Sequence, residues 1–382
     1  MADDKEIGPN TSIESGNKDS APEVLSELVH KVDITENKAM TDASDTVHIE
    51  STGSSNFRSN MLQHVKLWSA VIVWYGLNVT HIMTSKSFLN ALPLPWTVCS
   101  FEFLVGWLFA GVFWGTGFRK MPRFPNVRSF ISIFIPLGLV TVFLHCGTII
   151  SMALGSVSFT TVIKSAEPVA TAVLSILILK DYLNIYVYLS LIPIVAGVAI
   201  SSANELSFNT WSFFCALASN VFEAFRAIIV KKIDFEDETI GTNLTPTNIY
   251  MLFTLVASCI CLPISLGIEA PYWKETWLKS TAEMTTYNKG IVIFQFIACG
   301  FLYYVYNDFA FYCLGLMNQV TYSVLNTMKR IVVIIVSIII FQNEVNVLGY
   351  VGISTAIIGG LLYSLAKQGI CSRPRKQEVA LE

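Results

Sequence analysis

The chain has 382 residues, 53% apolar and only 14% charged, with 25 basic against 28 acidic side chains and a formal net charge of −3. Ordinary soluble domains carry about 25% charged residues, so this composition belongs to a membrane protein and leaves little room for a separate soluble catalytic domain. The expected surroundings are a lipid bilayer, and no nucleic-acid partner is expected.

Residues 1–62 form a polar, Ser/Thr-rich segment with Asp3, Asp4, Glu6, Glu14, Asp19, Glu23 and Glu27 near its start. Such a segment lacks the apolar surface to offset the entropy of ordering, and a disordered acidic tail is expected. It has neither the basic start and apolar core of a secretory signal nor the Arg-rich, acid-poor character of a transit peptide. Targeting is therefore expected to come from the spans themselves.

From Lys66 to Ala366, apolar stretches recur, broken near Leu92–Pro95, Phe118–Arg128, Lys180–Asn184, Asn204–Asn209, Asp234–Thr247, Glu269–Lys289 and Asn343–Asn346. Further divisions at Gly155 and Gly315 give about ten helices, each long enough for a bilayer that needs roughly 20 apolar residues. Residues 63–203 and 204–368 read as two five-helix repeats, and 369–382 as a polar tail. An odd number of spans per half would insert the second repeat upside down relative to the first, so the expected fold is an all-α integral membrane protein with a 5+5 inverted repeat. The trace of that repeat is Val157-Ser158-Phe159-Thr160 running into Lys164 and Val320-Thr321-Tyr322-Ser323 running into Lys329, each after a Leu-Gly pair. A glycine-bearing span follows each, with Gly197 in the first half and Gly359-Gly360 in the second.

Lys and Arg in short loops accumulate on the cytosolic side. Arg119, Lys120, Arg123 and Arg128 follow the second span, Lys231 and Lys232 the sixth, and Arg373, Arg375 and Lys376 the last, so both termini are expected in the cytosol. The sequons at Asn10 and Asn243 would then escape glycosylation. The eight cysteines sit almost all in apolar runs without Cys-x-x-Cys spacing, which favours small packing residues over metal ligands or disulfides. No cofactor is expected.

Lys164, and the adjacent Lys329 and Arg330, lie near the middle of apolar runs, where a cation costs at least about 2.5–3.5 kcal/mol on insertion scales. If Glu167 neutralised Lys164 and Asp308 neutralised Arg330, the cluster would be a polar knot fixing helix packing; even then one cation would remain. An anion site between the two halves is the functional reading, because transporters of inverted-repeat design bind substrate near the midplane. Helical spacing adds Thr160 and Thr161 to the face of Lys164, Asn326 to that of Lys329 and Arg330, and Thr148 to that of His145. Pro168, one turn beyond Lys164, lacks an amide hydrogen and so frees the carbonyl of residue 164. Tyr303, Tyr304 and Tyr306 read either as cavity lining or as packing. Arg226 lies near the end of its span, where reaching for the headgroups is the ordinary account.

These residues carry a resemblance. Tyr306-Asn307, the run from Ser323 through Asn326-Thr327-Met328-Lys329-Arg330, and Leu362 to Gln368 resemble the plastid phosphate translocator family, the triose-phosphate/phosphate antiporters of the drug/metabolite transporter superfamily. So do the run from Val157 to Pro168 and the opening Trp74-Tyr75-Gly76-Leu77-Asn78-Val79. The resemblance implies a ten-helix carrier in which Lys164, Lys329 and Arg330 bind phosphate and His145, Thr148 and Tyr306 contact substrate; Arg226 is matched across loops of different length. It also implies partners that are inorganic phosphate and phosphorylated three-carbon compounds (triose phosphate, 3-phosphoglycerate or phosphoenolpyruvate), with hexose phosphates ranked behind them. The acidic N-terminus departs from plant members and looks more like members in outer membranes of non-photosynthetic secondary plastids, the apicoplast among them. A nucleotide-sugar transporter of ER or Golgi shares the implied fold. An integral-membrane enzyme acting on phosphorylated lipids is the non-transport alternative, without a metal cluster, nucleophile elbow or phosphate-cradling loop to support it.

Overall fold

The computed structural model describes residues 52–180, 182–206, 208–233, 240–317, 319–342 and 345–371. The chain separates into Met1–His64 and Val65–Glu382, and the packing below is that of the second unit. The acidic residues of the expected tail and the Asn10 sequon lie outside the described residues, as do 372–382. Helix α1 begins at Thr52, inside the segment expected to be tail.

Among the described residues twelve α-helices follow one another: α1 (Thr52–Ala91), α2 (Pro95–Gly115), α3 (Val127–Leu154), α4 (Val157–Lys164), α5 (Glu167–Leu174), α6 (Ile185–Ala203), α7 (Thr210–Lys232), α8 (Pro246–Ile268), α9 (Trp273–Thr281), α10 (Thr286–Leu316), α11 (Gln319–Phe341) and α12 (Val347–Cys371). A π-helical turn, Ser175–Leu179, continues α5. Among the described residues, nine stretches are long and apolar enough to cross a membrane, α4 and α5 counting as one broken span. The protein is an all-α, multi-pass integral membrane protein. Helix α1 falls short of the other spans in apolarity because it carries Lys66, Asn78, His81 and Lys86.

Most of the breaks read from the sequence hold because a side chain at the restart accepts one of the free amides in the first turn of the next helix. Asn126 accepts from Arg128, Ser156 from Phe159, Asn184 from Tyr186, Asn209 from Trp211 and Ser212, Thr245 from Asn248, and Thr285 from Asn288. Helix α2 starts on Pro95, and Glu269 accepts its amides at Trp96 (2.9 Å) and Thr97 (2.7 Å), placing an anion at a helix N-terminus. Lys86 donates to the carbonyls of Met152 (2.8 Å) and Gly155 (2.9 Å), the complementary arrangement at the C-terminus of α3.

Within lipid, close packing rather than water exclusion holds helices together. Helix α6 lies along α12 at backbone contact: a Cβ added at Gly197 would lie 2.3 Å from the Ala356 amide nitrogen, and one at Gly352 2.5 Å from that of Ser201. Helices α3 and α7 pair similarly, and α2 packs on α8 and α10. An apolar core of Phe103, Val142, Ile149, Cys261 and Cys299 joins α2, α3, α8 and α10. Cys99, Cys146, Cys261, Cys299 and Cys313 are buried and free, in keeping with packing residues. Leu177, Ile192, Trp211, Phe294 and Ile339 project outward, where the bilayer is the solvent.

The basic loop after α2 meets the loop before α8, because Arg123 and Thr242 exchange backbone hydrogen bonds of 3.2 and 2.9 Å. Two of the loops expected on one membrane face are thus at one end of the bundle. Arg119, in the first of them, forms a two-pronged pair with Asp308 of α10 at 2.8 and 2.6 Å. Burial opposes its charge, and the Asp308 hydrogen bonds and charge more than offset that, holding the guanidinium pKa above its ordinary value.

Candidate anion-binding site

The span containing Lys164 is interrupted at the residue itself: α4 ends there, Ser165 and Ala166 turn, and α5 resumes at Glu167-Pro168. The missing amide hydrogen of Pro168 leaves the Lys164 carbonyl without its helical donor. Arg330, from α11, supplies one instead: one prong of its guanidinium donates to the Lys164 carbonyl and the other to the Glu167 carboxylate. The planar fork of arginine suits that double reach across two helix ends.

The Lys164 ammonium turns toward α7, donating to Glu223 (3.1 Å) and Ser219 (3.2 Å). The other Glu223 oxygen pairs with Arg226 at 3.4 Å, so Arg226 faces the interior instead of reaching for the headgroups. Lys329 has no carboxylate within salt-bridge distance among the described residues. Its ammonium sits 4.9 Å from the centre of the Trp74 ring, which is fully buried and stacked on Tyr322 at 5.2 Å. Tyr75 beside it donates to the Leu325 carbonyl of α11. The opening Trp74-Tyr75 pair therefore serves as the seat of the Lys329 helix.

The expected cations come together, since the charges of Lys164, Arg330, Glu167 and Glu223 all act on Lys329. The partners differ from those weighed on the sequence. Glu167 binds Arg330, not Lys164; Asp308 is taken by Arg119, not Arg330; Glu223, unnoticed in the sequence, holds Lys164. Four cations, Lys164, Arg226, Lys329 and Arg330, thus face two carboxylates, Glu167 and Glu223. The group carries a surplus of two positive charges. Beside it opens a cavity of about 150 Å³ whose lining includes Glu167, Arg330, Asn326, Thr327, Ser364 and a further cation, Lys367.

His145 belongs to a second buried network. Glu102, fully buried, accepts from His145 Nε2 at 2.5 Å and from His81 Nε2 at 2.6 Å. Tyr303 lies against His145 with ring centres 4.3 Å apart, and Tyr306 against His81 at 5.0 Å. The charge of Lys164 acts on His145, and those of Arg226 and Glu223 on Tyr306, so this network borders the cationic group. Thr148 commits its hydroxyl hydrogen to the Leu144 carbonyl at 2.9 Å; its oxygen lone pairs remain. Cys99, Glu102 and His145 offer ligand atoms within 4.8 Å of one another, as a metal site would. Both Glu102 oxygens already accept imidazole hydrogens, however, which makes the group a hydrogen-bond network first.

Spacing could not have found Glu102 and His81, which meet across helices, whereas the i,i+3 spacing of Glu223 and Arg226 was there to be read and only the reach of Glu223 to Lys164 was hidden. A buried carboxylate or imidazole in an apolar run is the signal that marks them.

Residues 65–364 match the Triose-phosphate Transporter family. The chain belongs to that family. The match runs through α1 to α12 and takes in every residue of both networks. Among curated members, the triose phosphate/phosphate translocator of Pisum sativum chloroplasts is 34% identical over 309 residues, 80% of this chain and 74% of that one. The glucose-6-phosphate/phosphate translocator 1 of Arabidopsis thaliana is 31% identical over 319 residues, 83% of this chain and 79% of that one. Phosphoenolpyruvate/phosphate translocator 2 of the same plant is 30% identical over 309 residues, covering 81% and 79%. These family members are transporters, and each is named for a different phosphorylated partner exchanged with phosphate.

Proposed function

We propose that this chain is an antiporter, not an enzyme, that exchanges inorganic phosphate for phosphorylated three-carbon compounds across a plastid-type membrane, with both termini in the cytosol. Lys164, Lys329 and Arg330 clamp the phosphate. His145, Thr148 and Tyr306 meet the organic portion, and Arg226 lends charge from α7. The observation that carries this reading is the surplus of two positive charges, because a phosphate ester at neutral pH bears about −1.5 to −2 and has three acceptor oxygens. The names of the relatives supply the class of substrate. The two halves, joined across the α6–α12 seam, move as five-helix repeats.

Obligatory exchange follows from electrostatics. Closing the bundle over an unbalanced surplus means desolvating it, at an effective cost of several kcal/mol per ion. A bound dianion removes most of that cost. The empty carrier therefore reorients slowly and the loaded one quickly, so net leakage is small.

The test is uptake of labelled phosphate into liposomes holding the purified protein, preloaded with dihydroxyacetone phosphate, 3-phosphoglycerate, phosphoenolpyruvate, glucose 6-phosphate, a nucleotide sugar or nothing. Uptake that requires an internal three-carbon phosphate is expected. Equal uptake into unloaded vesicles would refute exchange, and dependence on glucose 6-phosphate or the nucleotide sugar alone would refute the substrate class.

A further inference from the structure

The Glu102 network treats its two histidines differently. Both present Nε2 to the carboxylate, but the Nδ1 of His81 is buried without a partner, while His145 keeps 11% of its side chain exposed. A hydrogen on the His81 Nδ1 would be a buried, unpaired donor, at a cost of about 1–3 kcal/mol. The hydrogen of a neutral His81 therefore sits on Nε2. Any further proton taken up by the network goes to the remaining imidazole nitrogen, Nδ1 of His145, the ring that keeps some exposure.

That atom is an acceptor when bare and a donor when protonated. A bare Nδ1 takes the hydroxyl hydrogen of a hydroxylated three-carbon phosphate and repels a carboxylate. A protonated Nδ1 donates to a carboxylate. The geometry points to Glu102 as the residue that sets which form His145 presents, making the Glu102–His81–His145 network a selector between hydroxyl-bearing and carboxylate-bearing three-carbon phosphates, tipped toward the carboxylates by acid. This rests on the transport reading above. It assigns specificity to a positioning residue that need not touch substrate.

The titratable and charged groups around His145 are few. Glu102 and Cys99 face it from α2, His81 from α1, Cys146 from its own helix, Cys261 from α8, and Tyr303 and Tyr306 from α10. Lys164 acts from α4, with Cys215, Glu223 and Arg226 on the packed α7. The cysteines and tyrosines are neutral at physiological pH in their ordinary state. The fixed charges do not change between about pH 5 and 8, so a change of charge in the network over that range falls on imidazole.

The experiment uses the reconstituted full-length chain loaded with phosphate, and reads the ratio of phosphoenolpyruvate to dihydroxyacetone phosphate uptake from about pH 5 to about pH 8. Phosphate/phosphate exchange is measured in parallel; its absence in wild type would sink the transport reading itself and not the selector. Wild type is expected to raise the ratio at least about fivefold toward acid relative to His145→Gln, which sees the same substrate ionisation but cannot titrate. Glu102→Gln carries a sharper expectation. Its amide oxygen takes the His81 hydrogen and its NH₂ donates to His145 Nε2, forcing the hydrogen onto Nδ1. The ratio should then be high and flat with pH. Identical pH profiles for wild type and His145→Gln would overturn the selector, even if Glu102→Gln failed to fold. A Glu102→Gln protein with the wild-type profile would overturn the role of Glu102.

Discussion

Replacing Lys329 by Met separates a binding residue from a structural one, because no carboxylate among the described residues lies within salt-bridge distance of it. The ammonium has given up water for the face of Trp74 at 4.9 Å. A lysine at mid-membrane costs about 2.5–3.5 kcal/mol, and a desolvated cation–π contact returns about 2 kcal/mol or somewhat more. Met keeps the length and apolar character of the stem without the charge. The empty protein should therefore be as stable as wild type or more stable by up to about 1 kcal/mol, a rise of up to a few degrees in unfolding temperature. Phosphate binding should suffer heavily. One charge at about 4 Å, at an effective dielectric constant near 20, is worth about 4 kcal/mol to each unit of anion charge, or about a thousandfold in affinity. Thermal unfolding with and without phosphate, together with exchange into liposomes, measures both. Phosphate exchange within about threefold of wild type would refute the clamp, and a fall of several degrees in the unligated protein would show that Lys329 is a strut.

Arg330→Lys keeps the charge but cannot span the Lys164 carbonyl and Glu167 together; loss of one charged hydrogen bond at about 1.5–3 kcal/mol predicts lower thermal stability and at least tenfold slower exchange. Gly197→Ala would place a methyl 2.3 Å from the Ala356 amide, so α6 and α12 must part, and the folded yield in detergent, read by size-exclusion chromatography, should fall sharply. Arg119→Ala and Asp308→Asn should each destabilise by about 1–3 kcal/mol and be far from additive in the double variant; additivity would show that the pair contributes nothing.

The fold was legible where chemistry is local. Asn126, Ser156, Asn184, Asn209, Thr245 and Thr285 announce helix starts because each must accept an amide two or three residues on, a constraint written within one turn. The interruption at Lys164 was visible in Pro168 for the same reason, as were the three clustered cations Lys164, Lys329 and Arg330. Their partners were not, since Glu223 meets Lys164 only after α7 packs on α4 and α5, and no spacing along the chain encodes that distance. Glu102 escaped for the same cause: its two imidazoles come from α1 and α3. Lys86, placed to close the end of α3, is intelligible only once two carbonyls from another helix stand in front of it. Arg226 shows the opposite hazard. Its position near the end of α7 suggested the headgroups, and a carboxylate one turn earlier drew it inward.

The grip of Arg330 on the Lys164 carbonyl and Glu167 gives the resting carrier a latch made of its own atoms. Under the proposed transport reading, a phosphate that claims that guanidinium must first displace a carboxylate and a peptide oxygen, and once they are released the two ends of the broken span are no longer tied to α11. Recognition and unlocking are then a single event. A solute able to enter but unable to outcompete Glu167 leaves the door shut, so the threshold for movement is set by an internal competitor as much as by the substrate.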